Sequence, residues 1–268
     1  MPQQSANNPL GIPFIELQSV DSTNNYALAQ VHAGLAQHGQ AIFAHEQVAG
    51  RGQRGRNWTS EKGSNIILSL VINPHPLLVS QQFWLSAAIA VAIREFFQKF
   101  AGDDAKIKWP NDLYWQDRKA GGILIESVIG GRITHQANDK SDPHSDHPAW
   151  KWAVAGIGIN INQTLFPEGL VNPVSLKQIT GKTFNSVILA RELCTIINSR
   201  FHFLLRDGFD AILQEYNDHL YKKHESVKLR KDSRVFDAVI DSVAADGTLT
   251  VTHALPETFT SGEVEWIL

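Results

Sequence analysis

Apolar residues along the chain follow several different spacings, and each spacing predicts a different kind of element. Asn65–Asn73 is a continuous run of branched apolar residues, which is typical of a buried strand. Further strands are predicted at Phe14–Val20, Gln40–Gln47, Lys106–Trp115, Lys119–His135 and Lys151–Asn162. Short turns between several of them indicate a sheet that is rich in hairpins.

Helices are predicted where capping residues precede longer apolar runs. The predicted helical regions are Ser22–Gly34, Ser80–Phe100 and Phe184–Leu220, and the last holds more than one helix. Ser22 or Thr23 would cap the first of them. From about Tyr221 short strands return, and Asp246-Gly247 has the composition of a hairpin turn. The tail is therefore predicted to form a small β-barrel domain.

Composition and charge exclude several classes of protein. The 268 residues are 43% hydrophobic and 19% charged, which is ordinary for a globular protein with one large domain and a small one. A formal net charge of −3 argues against a broadly basic nucleic-acid binder. The start of the chain lacks the basic and apolar regions of a signal peptide, and the most apolar stretch, Phe83–Phe97, is too short to span a bilayer. With Cys194 as the single cysteine no internal disulfide can form, and a cytoplasmic location is predicted.

The segment Glu46–Trp58 contains three glycines and three arginines in the sequence GRGQRGR. Glycine loses much backbone freedom when it is ordered, so a folded loop of this composition usually uses its exposed amides. Those amides and the side chains of Arg51, Arg54 and Arg56 suit the binding of phosphate or carboxylate. The segment matches neither the Walker nor the dinucleotide fingerprint, and a solvated turn is the structural alternative.

Four other segments carry polar groups at positions where a ligand could approach the backbone. KWPNDLYW (Lys108–Trp115) is a turn with an Asn-Asp pair, and KAGGILIE (Lys119–Glu126) places a lysine before two glycines. GIGININ (Gly156–Asn162) leaves one face of a strand with little side chain, and DSTNN (Asp21–Asn25) starts a helix. Each has a structural alternative: a tight turn, a solvated charge, close strand packing and a helix cap, of which the cap is the simplest reading of DSTNN.

Taken in order, these segments resemble one family. STN, GRGxRGRxW, KWPND, KxGGILxE and GIGIN, between Ser22 and Asn162, are similar to the motifs of biotin protein ligases of the form with catalytic and C-terminal domains only. The resemblance implies an α+β fold, with a mixed β-sheet catalytic domain at residues 1–220 and an SH3-like β-barrel at 221–268. It also implies a two-step reaction with ATP and Mg²⁺. Biotin would be activated as biotinyl-5′-AMP and passed to a lysine of a biotin carboxyl carrier domain.

The resemblance further implies roles for individual residues. Lys119 and Arg51 are the implied catalytic residues. The implied biotin site comprises Ser22, Thr23, Asn24, Gln47, Gly50, Arg51, Asp112, Lys119, Gly122 and Gly156. The implied ATP and adenylate site comprises Arg54, Arg56, Trp58, Asn111, Lys119, Gly158 and Asn160. Gly122, Gly156 and Gly158 would leave room for the ligand against the sheet, and no metal site built by the protein is implied.

Alternative functions stay open at this point. A lipoate ligase or octanoyl transferase shares the general fold, but the transferase needs a nucleophilic cysteine, and Cys194 lies in a helical apolar context that suits a buried thiol. A regulatory DNA-binding ligase would need a helix-turn-helix, and only about a dozen residues precede the first predicted strand. A non-catalytic biotin-binding module is the third alternative. His135, His144 and His147 lie in or beside Ala137–Pro148, a polar segment predicted to be an exposed loop without metal.

One position departs from the strongest motif. Members of the family often carry arginine where this chain has Gln53, so a loop that faces phosphate lacks one positive charge. We therefore expect the adenylate to be held less tightly than it would be with arginine. The chain is expected to be a monomer or homodimer that binds neither nucleic acid nor a membrane.

Overall fold

A seven-stranded sheet forms the centre of the fold in a computed structural model that describes residues 8–132, 148–170, 172–253 and 255–267. Its strands are β1 Phe14–Leu17, β2 Ala41–Ala44, β3 Ile66–Ile72, β4 Ala105–Lys108, β5 Asp112–Trp115, β6 Arg118–Arg132 and β7 Pro148–Ile159. They lie in the order β1-β2-β3-β7-β6-β5-β4. Strands β1 and β2 are parallel and the other neighbours are antiparallel, so the predicted mixed sheet is confirmed.

Two long helices cover one face of this sheet. The helices in the described ranges are α1 Thr23–His32, α2 Gln82–Ala101, α3 Leu176–Thr180, α4 Ser186–Asp207 and α5 Asp210–Asp218. Helices α2 and α4 pack against each other and against the sheet, where Leu70, Phe96 and Leu193 are buried in the main core. The predicted helical region at Phe184–Leu220 is divided at Gly208, which has a φ of 85° and ends α4.

The opposite face of the sheet is covered by α1 at one end. Ala27 of α1 packs on Ile42, Val71 and Val154, which alternate along their strands with the residues that face α2 and α4. All seven residues of β3 are buried, as the continuous apolar run predicts. Helix α1 is only ten residues long, so it covers only one end of this face. The sheet continues beyond the N-terminus of α1.

Five strands after α5 form a second sheet. They are β8 Ser226–Lys231, β9 Arg234–Val243, β10 Leu249–Thr252, β11 Pro256–Phe259 and β12 Glu265–Ile267. Their order is β11-β10-β9-β8-β12 and every neighbouring pair is antiparallel. The turn at Asp246-Gly247 joins β9 to β10, as the sequence predicts. Closure into an SH3-like barrel and the domain boundary after residue 220 stay predictions.

The second sheet is bonded to the main body through its β9–β10 turn. Trp84 Nε1 donates to the Ala245 carbonyl at 3.0 Å, and Trp109 Nε1 donates to the Gly247 carbonyl at 2.9 Å. Gly247 has a φ of 88°, and a Cβ there would lie 2.8 Å from the Phe83 ring, so the close approach requires glycine. These contacts fix the position of the tail beside the KWPND turn.

Two sequence predictions concern residues that the structure leaves undescribed. The segment 133–147 lies outside the described residues, so the exposed loop at Ala137–Pro148 and the surface positions of His135, His144 and His147 stay predictions. In the part of the chain that is described, no helix combines the length and the apolar character that crossing a bilayer requires.

Candidate active site

A cavity of about 720 Å³ lies on the sheet beyond the N-terminus of α1. Its floor is the middle of the seven-stranded sheet, and its sides are the start of α1, the KWPND turn and the segment after β7. Its roof is formed by the Gly/Arg loop, residues 50–58, and by the C-terminal segment 261–267. Of the sixteen residues that the resemblance implies, the cavity is lined by Ser22, Thr23, Asn24, Gln47, Arg51, Arg54, Arg56, Trp58, Asn111, Asp112, Lys119, Gly122, Gly156, Gly158 and Asn160. Gly50 does not line it and lies at the base of the loop.

Strand register explains why segments that are far apart in sequence meet here. Gly158 pairs with Ile67 on one side and with Gly122 on the other, and Gly122 pairs with Asp112. These four residues form one row across the sheet. Ser69, Gly156 and Leu124 form the next row toward α1. The GIGIN strand therefore brings the KWPND and KxGGILxE motifs to the same face as the start of α1.

Two of the floor glycines are covered by side chains of this chain. A Cβ at Gly156 would collide with the Asn24 side-chain amide, and a Cβ at Gly158 would collide with the Trp58 ring. These glycines thus make room for Asn24 and Trp58, and the prediction that they also leave room for a ligand stays a prediction. At Gly122 a Cβ would lie 3.1 Å from Asp112 Oδ1, so this glycine accommodates the carboxylate.

The start of α1 belongs to a buried hydrogen-bond network. Gln47 Oε1 accepts from the Thr23 amide at 2.7 Å and lies 3.0 Å from the Thr23 hydroxyl. Ser69 Oγ lies 2.7 Å from Thr23 Oγ1 and 2.6 Å from Asn24 Oδ1. Asn24 Nδ2 donates to Glu126 Oε2 at 2.8 Å. This network holds Thr23, Asn24 and Gln47 in fixed orientations, and these are residues that the family resemblance implies to contact biotin.

The helix-cap interpretation of DSTNN is confirmed for the position but not for the hydrogen bond. Ser22 is the N-cap residue of α1 and has extended backbone, but its side chain makes no capping hydrogen bond. The amide of Thr23, the first helical residue, donates to the Gln47 side chain. Ser22 is nevertheless buried, with 1% of its surface exposed, and it lines the cavity. A buried hydroxyl that does not cap the helix is available to a ligand at the helix N-terminus.

Lys119 and Asp112 form an ion pair on the floor. The Lys119 Nζ–Asp112 Oδ1 distance is 2.7 Å, and both side chains are half-buried. The Lys119 backbone is held from the other side, because its amide donates to Asn172 O at 2.7 Å and its carbonyl accepts from the Val174 amide at 2.9 Å. The ammonium group is thus held next to a carboxylate, close to the start of β6.

Lys108 is a buried lysine at the edge of the cavity. It is 7% exposed, and its Nζ donates to the Tyr114 hydroxyl at 3.2 Å. It also lies 4.7 Å from the centre of the Tyr114 ring and 5.0 Å from that of Trp266. Burial lowers the pKa of Lys108 to about 8. The sequence places this lysine in the KWPND motif but gives no sign of its burial against the C-terminal tail.

The arginines of the Gly/Arg loop have different surroundings. The guanidinium of Arg51 pairs with Glu126, with Nη2 at 2.9 Å from Oε1, and Nη1 donates to Asn25 Oδ1 at 2.8 Å. Arg54 lies against Gly262, where any Cβ would collide with its guanidinium, and its Nη2 lies 3.5 Å from Ser261 Oγ. Arg56 lines the cavity, and its guanidinium makes no hydrogen bond or ion pair with the described residues.

Two of the residues implied to contact the nucleotide already make hydrogen bonds within the protein. Asn111 Nδ2 donates to the Ile123 carbonyl, and Asn160 Nδ2 lies 3.4 Å from the Lys119 carbonyl, so both amides support β6. Trp58 Nε1 is buried and has no hydrogen-bond partner among the described residues. A buried N–H without a partner is costly, and in a cavity wall it offers a site for an acceptor of the ligand.

Cys194 lies away from this site. It is 2% exposed in α4 and packs beside Gly11, and burial raises the pKa of its thiol to about 12. The predicted structural role of this cysteine agrees with its position. Within the described ranges, no cluster of three or more His, Cys, Asp or Glu side chains has an arrangement that could hold a metal ion.

Comparisons with known proteins agree with the fold and the motifs. Residues 16–137 match the profile of the Biotin/lipoate A/B protein ligase family. The chain is 36% identical over 204 residues to the bifunctional ligase/repressor BirA of Escherichia coli strain K12. The matched region covers 75% of this chain and 57% of that protein. It is 34% identical over 173 residues to the biotin--[acetyl-CoA-carboxylase] ligase of Paracoccus denitrificans, covering 62% of this chain and 63% of the relative. The chain thus spans less than two thirds of the length of these relatives.

The structural comparison covers more of the molecule. The biotin protein ligase from Aquifex aeolicus in complex with biotin and ATP superposes with a TM-score of 0.75 at 23% identity, covering 95% of this chain and 98% of that one. The Leishmania major biotin protein ligase in complex with biotinyl-5-AMP gives a TM-score of 0.60 at 21% identity. These likenesses establish a biotin protein ligase fold that includes the C-terminal sheet. The resemblance that the five motifs indicate is confirmed.

Proposed function

We propose that the protein is an ATP-dependent biotin ligase, which activates biotin as biotinyl-5′-AMP and transfers it to a lysine of a biotin carboxyl carrier domain. The observation that carries this proposal is the convergence of all five motifs on one cavity, with a lysine–carboxylate pair on the floor and arginines in the roof. The family of residues 16–137 and the name of the Paracoccus relative support the same activity.

In the first step a biotin carboxylate oxygen attacks the α-phosphorus of ATP, and the bond from this phosphorus to pyrophosphate breaks. Negative charge accumulates where carboxylate and phosphate meet, so a fixed cation at that point lowers the barrier. Lys119 is that cation in our proposal, since its ammonium is held by Asp112 and by the backbone contacts of β6. Arg56 would meet the phosphates, with Mg²⁺ arriving as part of the nucleotide co-substrate.

In the second step a neutral lysine amine of the carrier domain attacks the acyl carbon of the adenylate. The carbon–oxygen bond to AMP breaks, AMP leaves, and the proton of the amine is released. The adenylate is a reactive mixed anhydride, so water must be kept out until the carrier arrives. The roof of the cavity, formed by residues 50–58 and 261–267, supplies this cover.

The buried network at the start of α1 would bind the biotin head group. Ser22, Thr23, Asn24 and Gln47 offer hydroxyl and amide groups that match a cyclic urea, which has both donors and an acceptor. Trp58 would meet the nucleotide, because its ring lies on Gly158 and its N–H has no partner among the described residues. The cytoplasmic location and the monomeric or homodimeric state remain part of this proposal.

The test is transfer of labelled biotin to a purified carrier domain in the presence of ATP, together with pyrophosphate release. We expect ATP-dependent labelling of one lysine and no labelling with lipoate or octanoate. A cysteine-dependent acyltransferase is not favoured, because Cys194 lies in α4 outside the cavity lining. Biotin binding without pyrophosphate release would instead identify a non-catalytic binding module, and labelling with octanoate would identify an acyl ligase of different specificity.

A further inference from the structure

Glu126 of β6 connects two parts of the site that are otherwise separate. Its carboxylate accepts a hydrogen bond from Asn24 Nδ2 at 2.8 Å and pairs with Arg51 at 2.9 Å. Asn24 is 3% exposed and lies on Gly156 of the floor, whereas the Arg51 side chain is 43% exposed and belongs to the roof. Glu126 itself does not line the cavity, so any effect it has on a ligand acts through these two residues.

On the buried side, the contacts of Glu126 continue into the proposed biotin site. The chain of hydrogen bonds runs from Glu126 to Asn24, then through Ser69 to Thr23 and Gln47. Polar groups that are linked in this way polarise and orient one another in a low-dielectric interior. A ligand that binds at Thr23 or Asn24 therefore changes the hydrogen bonds that are available to Glu126.

On the exposed side, Arg51 makes the stronger of the two arginine contacts that the Gly/Arg loop forms with other segments. Its guanidinium contacts both carboxylate oxygens of Glu126, at 2.9 and 3.3 Å, and also Asn25 at 2.8 Å. The second arginine, Arg54, has one 3.5 Å contact with Ser261. A charge-assisted, two-point contact is stronger than a single long one, so of the two arginine contacts the one with Glu126 holds the loop more strongly.

We propose that Glu126 is a positioning residue that couples occupation of the biotin site to closure of the Gly/Arg loop. The coupling is reciprocal: if closure of the loop tightens biotin binding, biotin must stabilise the closed loop by the same factor. The identity of the ligand rests on the proposed function. The anchoring of the loop by Glu126 does not, because it is a property of the ligand-free protein.

The experiment is limited trypsin digestion, in which cleavage after Arg54 and Arg56 is followed by mass spectrometry with and without biotin. Cleavage at these sites follows the open population of the loop. We expect Glu126→Gln to be cleaved about tenfold faster than the wild type without ligand, since a hydrogen bond to a charged group is lost. Protection by saturating biotin should fall by a similar factor.

Two further variants separate the coupling from a general loss of structure. Glu46→Gln removes the carboxylate that pairs with Lys62 at 3.1 Å beside the same loop, and its cleavage should equal that of the wild type. Arg51→Gln removes the same ion pair from the exposed side and should match Glu126→Gln, with no additional effect in the double variant. Arg51→Gln also provides the test if Glu126→Gln lowers the melting temperature.

Kinetics supply a readout that a purely structural role would not change. In Glu126→Gln the KM for biotin should rise about tenfold, while adenylate formation at saturating biotin stays within about twofold of the wild type. Wild-type cleavage rates and wild-type biotin protection in Glu126→Gln and Arg51→Gln would overturn the inference and leave the ligase proposal intact. A wild-type protein that binds no biotin would overturn the proposed function instead, and faster cleavage of Glu126→Gln would still establish the anchor.

Discussion

The floor and the roof of the cavity are built in contrasting ways. At the floor, Asn160 and Asn24, whose side chain lies on Gly156, are at most 4% exposed, and they are fixed by hydrogen bonds to Lys119, Glu126 and Ser69. The roof consists of loop residues 50–58 and C-terminal residues 261–267, most of which are exposed or half-buried. The loop contacts the rest of the molecule through the Arg51 ion pair, the approach of Arg54 to Gly262 and the Trp58 ring on Gly158, and the C-terminal segment is held by the pairing of β12 with β8.

This difference fits two separate tasks: the floor positions groups precisely, and the roof opens and closes. Groups that act on a reacting atom must be held within a fraction of an ångström, which packed strands achieve and exposed loops do not. If the proposed function is right, the roof must open to admit biotin, ATP and a carrier lysine, so its local stability must be low. Changes on the floor should therefore alter the chemical step or the affinity for one substrate, and changes in the roof should alter the retention of the intermediate.

The largest effect is expected for Lys119→Gln on the floor. Removing a positioned cation typically costs about 3 kcal/mol of transition-state stabilisation, which is roughly a hundredfold in the rate of adenylate formation. The exposed Lys62→Gln serves as the control and should have the wild-type rate. Pyrophosphate release from ATP and biotin gives the rate. A wild-type rate in Lys119→Gln, with an unchanged melting curve, would remove this residue from the mechanism.

The two glycines of β7 test whether the floor is divided between the two substrates. Gly158→Ala should displace the Trp58 ring and raise the KM for ATP about tenfold, with little change in the KM for biotin. Gly156→Ala should displace Asn24 and raise the KM for biotin, with little change in the KM for ATP. Each variant is the control for the other. The same change of both KM values in both variants would mean that the strand, and not a separate subsite, had been disturbed.

A smaller effect, on thermal stability, is expected at Lys108. This lysine lies between the rings of Tyr114 and Trp266, where the floor meets the roof. Burial lowers its pKa from 10.5 to about 8, so between these pH values the unfolded chain binds more protons than the folded one and stability rises with pH. Below pH 8 the fold carries the full cost of the buried charge. Lys108→Met should therefore raise the melting temperature at pH 7 by roughly 2–6 °C, and the gain should shrink toward pH 10.

The matched control for Lys108→Met is Lys228→Met, in the same C-terminal part of the protein. Lys228 is 59% exposed and pairs with Asp237 on the surface, so its replacement should change the melting temperature by an amount that does not depend on pH between 7 and 9. Thermal unfolding of both variants and the wild type across this range makes the comparison. A stabilisation by Lys108→Met that is constant with pH would show that packing, and not the buried charge, is responsible.

The sequence predicted the elements and the motifs better than their contacts. The continuous apolar run at Asn65–Asn73 predicts β3, but it gives Ser69 no role beyond the strand, because its partners Thr23 and Asn24 are distant in sequence. The segment KAGGILIE likewise gives Glu126 no role, since its ion pair with Arg51 forms between segments that are distant in sequence. Side-chain partners that depend on strand order leave no local pattern.

Strand order itself had no local signal either. The sequence indicates which segments extend, but insertion of β7 between β3 and β6 follows from long-range pairing. The same limit applies at DSTNN: Ser22 has the residue type and the position of a cap, but its missing capping bond and the contact of Gln47 with the Thr23 amide leave no local pattern. Local propensity is overridden where a side chain from another element supplies the hydrogen bond.

The smallest effect is expected in the roof, at Gln53. This residue begins the short turn Gln53–Gly55 and lines the cavity between Arg51 and Arg54, whose guanidinium groups are engaged with Glu126 and with the C-terminal segment. Gln53→Arg would therefore add a cation that is not already paired in the loop, and it should slow the escape of biotinyl-AMP several-fold at low salt. Adenylate formation should change little, because Lys119 on the floor is unaffected.

Release of labelled biotinyl-AMP after removal of excess biotin measures this effect, and its salt dependence distinguishes charge from shape. Gln18→Arg, at an exposed position outside the cavity lining, adds the same charge elsewhere and should leave the release rate unchanged. If Gln53→Arg releases the adenylate at the wild-type rate at low salt, residue 53 does not contact the phosphate in the closed loop. Retention of the adenylate would then depend on Arg56 and on the contacts that hold the roof closed. Among those contacts, the Arg51–Glu126 pair would be the first to test for its effect on how long the intermediate stays covered.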